Sequence, residues 1–253
     1  MSPVFRLLSC ALLSLWLVSA FAAGTVRPGE YVLTGDWGRL KIDQRDGGKN
    51  FSIDSIGANC HMCGLSGRLV GTTAETVEEN PGDGDMVCRI RMNPSADGRL
   101  ITVESLTDEA CRQFCGMRAR FDGVYRKPQG HCTGAGQRNA RETFIRHYRA
   151  KRFNEALAAL RPLLEHCSAF LSWIEIDRVR NDLALAYFHA GNPEQCVATL
   201  RNTRAFEHAD EAALRSGLPP CDFDNYLPTA QASWHNMRLC AALPRSTGKN
   251  GQN

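Results

Sequence analysis

The sequence predicts an α+β protein: a small antiparallel β-barrel of seven or eight strands, followed by an α-helical domain. Three observations carry this. Residues 24–127 hold short runs with period-two apolar patterning between turn clusters. Residues 138–243 switch to apolar spacings of three and four. Of 11 cysteines, Cys10 lies in an N-terminal apolar segment, and the remaining ten form an even set spread through both halves. In an exported chain such a set reads as disulfides.

Tyr31-Val32-Leu33 and Leu40-Lys41-Ile42 are the first two strand candidates. Asp46-Gly47-Gly48-Lys49-Asn50 is a turn cluster, and Phe51 to Ile56 then alternates apolar and polar. Leu65 to Val70 is the fourth candidate. Met86 to Met92 alternates, Asn93 to Gly98 turns the chain, and Leu100 to Val103 returns as a hairpin partner. Arg118 to Tyr125 is the last candidate. Gly29-Glu30-Tyr31 and Gly123-Val124-Tyr125 bracket this half. Pairing of the first and last strands would close the barrel and remove its exposed edges. Residues 128–137, with Pro128, three glycines, His131 and Cys132, read as a linker.

Helical patterning begins near Arg138. Phe144, Tyr148, Phe153, Ala156, Leu157, Leu160, Leu163 and Leu164 recur at helical spacing, and Ile176, Val179, Leu183 and Tyr187 share a second face. Gly191-Asn192-Pro193 ends that stretch, and Pro193 suits the first turn of the next helix. Tyr148 to Leu157 aligns with Phe188 to Val197, and Leu160 with Leu200, at an offset of 40 residues. The aromatic before the turn, the short turn, the small residue at Ala156 and Cys196 and the leucine four later resemble the tetratricopeptide repeat, whose period is about 34. The tryptophan and first glycine of that pattern are absent. Two repeats are too few to bury a core alone. Thr229 to Leu243 is expected as a capping helix, with Cys167, Cys196, Cys221 and Cys240 stapling the rest.

At the N-terminus, Leu7 to Val18 is an apolar run shorter than a bilayer span, and Ala20-Phe21-Ala22 follows with small residues at cleavage positions. Residues 1–23 therefore read as a signal peptide cleaved near Ala22, which places the mature chain in the periplasm or outside the cell. No second apolar run calls for a membrane span. Residues 244–253 have no apolar anchor and read as a disordered tail. Removing Arg6 lowers the formal charge from +3 to +2. That weak balance argues against nucleic acid or an anionic membrane surface as partner.

Cys60-His61-Met62-Cys63-Gly64 raises four possibilities. Covalent haem needs His at position 64, where Gly stands. A thioredoxin-type couple needs the first cysteine at a helix N-terminus, but Gly64 to Val70 reads as turn and strand. Zinc could use Cys60, Cys63, Cys111 and Cys115, although oxidation competes with metal in an exported chain. The favoured reading is structural: Cys60, Cys63, Cys111 and Cys115 cross-link the third-to-fourth strand connection to the segment before the last strand. Cys88 then pairs within this half or with Cys132. No motif calls for a cofactor or a metal.

No nucleophile elbow, P-loop or H-E-x-x-H is present. Asp83 and Asp85 lack the later ligands of a calcium loop. The histidines are scattered. Arg112, Phe114, Arg118, Arg120, Phe121 and Tyr125 form the candidate binding set, a basic and aromatic face for an acidic partner.

The N-terminal half is similar in size, cysteine linkage and Gly-x-Tyr strands to the small periplasmic β-barrels that inhibit lysozyme. Tetratricopeptide-like helices imply a concave surface for a peptide or protein. Together these resemblances imply an exported, non-enzymatic protein-binding or inhibitor-type protein whose partner is another protein or peptide of the envelope. The alternatives are a periplasmic thiol-disulfide oxidoreductase using Cys60 and Cys63, and an envelope assembly scaffold acting through its helices.

Overall fold

A computed structural model describes residues 24–34, 37–45, 47–76 and 87–242. The expected signal peptide, Asp46, the acidic turn at Pro81–Asp85, Met86 and the expected tail lie outside the described residues.

The N-terminal half is a closed eight-stranded antiparallel barrel. Its strands are β1 (Gly29–Leu33), β2 (Trp37–Arg45), β3 (Gly48–Ile56), β4 (Met62–Val70), β5 (Thr73–Thr76), β6 (Cys88–Pro94), β7 (Leu100–Ser105) and β8 (Gly123–Arg126). Each pairs with the next, and closure comes from β1 against β8, with Val32 opposite Arg126 and Leu33 opposite Tyr125. Alternate residues fill the interior, among them Tyr31, Leu40, Ile53, Ile90, Met92, Ile101 and Tyr125. The two Gly-x-Tyr triplets play equivalent roles. Gly29 and Gly123 have φ of 140° and 141°, a region that disfavours side chains. The Tyr31 and Tyr125 hydroxyls donate to the carbonyls four residues back, Arg27 and Phe121, at 2.9 and 2.7 Å.

Three elements depart from expectation. β5 is short and carries two threonines and a glutamate, so its apolar pattern is faint, yet Ala74 and Thr76 point inward. A helical turn, α1 (Asp108–Arg112), follows β7, with Asp108 and Glu109 in its first turn. The last strand begins at Gly123, not Arg118. Residues 118–122 keep the alternation, with Ala119 and Phe121 buried, but are not in a strand. They lie against the end of β3, where the Ser55 hydroxyl donates to the Arg120 carbonyl at 2.7 Å.

The helices of the C-terminal half are α2 (Gly134–Arg149), α3 (Phe153–Cys167), α4 (Trp173–His189), α5 (Pro193–Leu200), α6 (Glu211–Gly217) and α7 (Pro220–Ala242). α2 starts inside the expected linker, capped by the Thr133 hydroxyl on the Gly136 N–H. α7 starts nine residues before the expected capping helix at Thr229. The 40-residue offset reappears in backbone geometry. Ala150, Lys151 and Arg152 donate to Arg146, Tyr148 and His147, and Ala190, Gly191 and Asn192 donate to Ala186, Phe188 and Tyr187. Lys151 and Gly191 hold matching left-handed φ values of 59° and 71°.

Five disulfides form among the described residues. Cys63–Cys115 makes the expected bridge to the segment before β8, and Cys88–Cys111 stays within the barrel. Cys132–Cys167 ties the start of the helical half to the end of α3, and Cys196–Cys240 joins α5 to α7. Cys111, expected to cross-link the connection between β3 and β4, takes Cys88 instead, because α1 carries it onto β6. Cys60 also corrects the expected pattern. It bonds Cys221, 161 residues away, joining the barrel to α7. Asn59 and Cys60 both adopt left-handed φ in a 3-10 turn at Ala58–Cys60, whereas Cys63, on β4, is buried in the barrel wall. The neighbouring cysteines therefore take partners in different halves. In the chain-entropy treatment a loop of that length is worth at most about 5 kcal/mol, less here because other bridges shorten it.

Candidate functional site

The described halves meet around Cys60–Cys221 and enclose a cleft of about 650 Å³. The barrel contributes Trp37 from the start of β2, Ile56 from the end of β3 and the 3-10 turn beyond it. Gly57 makes that turn possible, because a Cβ there would collide with the Arg118 carbonyl. The helical half contributes Leu171, then Trp173, Ile174 and Ile176 from the first turns of α4. Ser172 caps this helix in a reciprocal capping box with Glu175. Arg204, Asp222 and Asn225 supply polar groups at the rim.

The polar residues are placed by neighbours. Asp222 Oδ2 accepts the Asn59 N–H at 2.9 Å. Asn59 Oδ1 in turn accepts the Cys221 N–H at 3.0 Å, so a barrel side chain satisfies an amide in the first turn of α7. Asn225 Nδ2 donates to Cys60 Sγ at 3.1 Å. Arg204 stacks over Trp173 with its guanidinium carbon 4.6 Å from the ring centroid. Its backbone N–H donates to Asp177 Oδ2 at 2.8 Å, and the same oxygen receives the Tyr226 hydroxyl at 2.7 Å. Asp177 is 2% exposed and also pairs with Arg180 at 2.8 Å. Burial and the Asp177 carboxylate both push the Tyr226 hydroxyl up, so it stays a donor.

The arrangement can bind but shows no catalytic constellation among the described residues. It is mainly apolar, with a cation, a carboxylate and an amide at its edge. This is the usual make-up of a recognition pocket.

The candidate binding set does not form one face. Phe121 and Tyr125 are 4% and 0% exposed and belong to the barrel core, which corrects their assignment. The cause is the period of two: Arg118 and Arg120 face solvent, so Ala119 and Phe121 between and beyond them face inward. Phe114 packs half-buried against the same core. Arg112 and Arg120 border a separate pocket of about 480 Å³ at the barrel end, where acidic Glu104, Asp108 and Asp122 are interspersed. Arg120 pairs with Asp122 at 2.6 Å, and Arg112 donates to the Met117 carbonyl.

His131, Cys132 and Cys167 bring potential ligand atoms within 4.8 Å of one another. The two sulfurs are bonded to each other and offer no thiolate, so this cluster is not a metal site in the oxidised chain. Likewise Cys60 and Cys63 are each bonded elsewhere and do not form a redox couple with one another.

Sequence reasoning missed Trp37, Trp173, Arg204, Asp222 and Asn225. Ser172-x-x-Glu175 before an apolar run is a visible helix-start signal that places Trp173 in the first turn of a helix. Nothing local marks Asn59 as a partner of residues more than 160 positions away.

No protein-family model matches the sequence, and neither a curated protein nor a solved structure matches it.

Proposed function

We propose that the chain is an exported, non-enzymatic binding protein that holds a segment of another envelope polypeptide in the cleft between barrel and helices. The cleft carries this reading. It is lined by both halves, and its apolar floor of Ile56, Leu171, Ile174 and Ile176 suits buried side chains of a guest. Asp222, Asn225 and Arg204 at its edge suit the guest's backbone or polar groups. The five disulfides fit an oxidising compartment. No described helix is long and apolar enough to cross a membrane. The repeated helical hairpins support a tetratricopeptide-like reading of the C-terminal half. The barrel supports a likeness in style to the lysozyme-inhibiting barrels, without assigning an inhibitory residue.

Site-specific photo-cross-linking in envelope extracts tests this. A benzophenone side chain replaces Trp37, Arg120 or Thr143 in separate variants. Capture of a polypeptide from position 37, abolished by Ile174→Glu, is expected. Capture only from position 143, in the groove of about 730 Å³ between α2 and α3, would favour the scaffold reading. Capture only from position 120 would favour the barrel-end pocket. No capture from any of the three refutes binding to a polypeptide.

A further inference from the structure

We propose that Cys60–Cys221 is a reducible clamp on this cleft, opened by thiol exchange with a dithiol reductant. This rests on the cleft being the binding site; the lability of the bond can be tested without it.

Four observations converge. Cys60–Cys221 is the one disulfide among those described that joins the barrel to the helices. Both of its cysteines are half-buried, whereas every other bond has at least one fully buried cysteine. Exposure decides which bond an attacking thiolate reaches first. Asn59 and Cys60 hold consecutive left-handed φ values of 58° and 57°, a conformation that asparagine tolerates but that is costly for cysteine. It is fixed from the helical side by the bond itself and by the two Asn59 hydrogen bonds. Finally, Cys221 lies in the first turn of the 23-residue α7.

The position of Cys221 sets the direction of exchange. An external thiolate attacks Cys60 Sγ, forming a mixed disulfide while the Cys60–Cys221 bond breaks. The electron pair of that bond leaves on Cys221 Sγ. The first turn of α7 favours negative charge there, and Asn225 Nδ2, which lies 3.1 Å from Cys60 Sγ and 3.6 Å from Cys221 Sγ, is within donating distance of the new thiolate once the bond opens. The neighbouring Asp222 carboxylate opposes a thiolate but is held toward the Asn59 N–H. The second thiol of the reductant then attacks the mixed disulfide. Cys60 leaves as a thiol, and the reductant departs as a disulfide, having given two electrons. The left-handed turn is released from its covalent tether, and the barrel wall of the cleft loosens.

The oxidised full-length protein is treated with graded dithiothreitol, quenched with N-ethylmaleimide and mapped by peptide mass. Cys60 and Cys221 are expected to be labelled before any other pair. Earlier labelling of another pair, or loss of all five bonds together, overturns the proposal. Asn225→Leu keeps both cysteines and is expected to slow their labelling about fivefold, the worth of one hydrogen bond; an unchanged rate removes Asn225 from the mechanism and overturns this exchange route. At a reductant concentration that opens only this bond, hydrogen exchange is read over residues 57–61 and 168–174. At least tenfold faster exchange in 57–61 is expected; unchanged exchange overturns the gating. A Cys60→Ser/Cys221→Ser double variant, with four disulfides intact, should show the same fast exchange without reductant. If cross-linking from position 37 fails while the labelling order holds, the cleft reading falls and the labile bond stands.

Discussion

The backbone N–H of Asn59 donates to the Asp222 carboxylate at 2.9 Å, joining a turn of the barrel to the first turn of α7. The Asn59 side chain returns a bond to the Cys221 N–H. Two hydrogen bonds and one disulfide thus fix the junction through two residues on each side, Asn59 and Cys60 against Cys221 and Asp222, and this junction is one wall of the cleft.

Asp222→Ala leaves the Asn59 N–H without its acceptor in a half-buried site. The expected cost is about 1–2 kcal/mol, read as a lower urea midpoint with unchanged slope. Asn59→Gly relieves the left-handed φ but removes the acceptor for Cys221, so its net effect should be smaller than that of Asp222→Ala. A larger loss for Asn59→Gly would contradict this account of the junction.

Tyr226→Phe tests the buried group that positions Arg204. The Tyr226 hydroxyl donates to Asp177 and accepts the Ala205 N–H at 2.8 Å. Its removal strands a buried amide, so a loss of about 1–3 kcal/mol is expected. Asp177→Ala should cost more, about 3–5 kcal/mol, because the Arg204 N–H, the Tyr226 hydroxyl and Arg180 all lose their shared acceptor, although Arg180 keeps the Asn202 carbonyl. Both variants should also alter Trp173 fluorescence, since Arg204 stacks on that ring. Stability loss with an unchanged spectrum would separate the network from the cleft.

Most of the architecture was legible because it depends on period. The barrel strands announced themselves by alternation, and β1–β8 closure followed from two Gly-x-Tyr triplets whose glycines need a special φ. The hairpin repeat was visible because Tyr148 to Leu157 and Phe188 to Val197 share small, aromatic and turn positions. The cleft was not legible. Its residues come from five separated stretches, and what unites them is the docking of α7 on the turn at Ala58–Cys60. The same limit explains the cysteines. Spacing suggested that Cys60 and Cys63 act within the barrel, while the left-handed turn at Asn59 and Cys60 carries one of them to the other half.

Asp182 on α4 gives the helical half a pH signature. Burial pushes its carboxyl up from 3.8 to about 6, and Arg141 on α2 pulls it partly back. A raised folded value means that the folded chain holds this proton more tightly than the unfolded chain. The resulting stabilisation is full below the unfolded value near 3.8 and is lost as pH rises through about 6. At pH 7.5 the group is half-buried and charged. Asp182→Asn should therefore be more stable than the parent at pH 7.5, by up to about 3 kcal/mol, with the gap shrinking toward pH 4. Urea titrations of both proteins across this range check it. A gap that does not change with pH would show that Asp182 titrates normally.

The two hairpin turns predict opposite responses at equivalent positions. Lys151 holds φ of 59° at a cost that glycine avoids, so Lys151→Gly should stabilise by about 0.5–1 kcal/mol. Gly191 holds φ of 71°, and a Cβ added there meets nothing within 4 Å. Any cost of Gly191→Ala is therefore one of backbone conformation, expected at about 1 kcal/mol. The hydrogen bonds around the two turns correspond pair by pair, so the two substitutions act on nearly the same local geometry with opposite sign. Thermal unfolding of each variant reads the difference. If both shift stability in the same direction, the turns are not equivalent, and the internal repeat does not extend to their energetics.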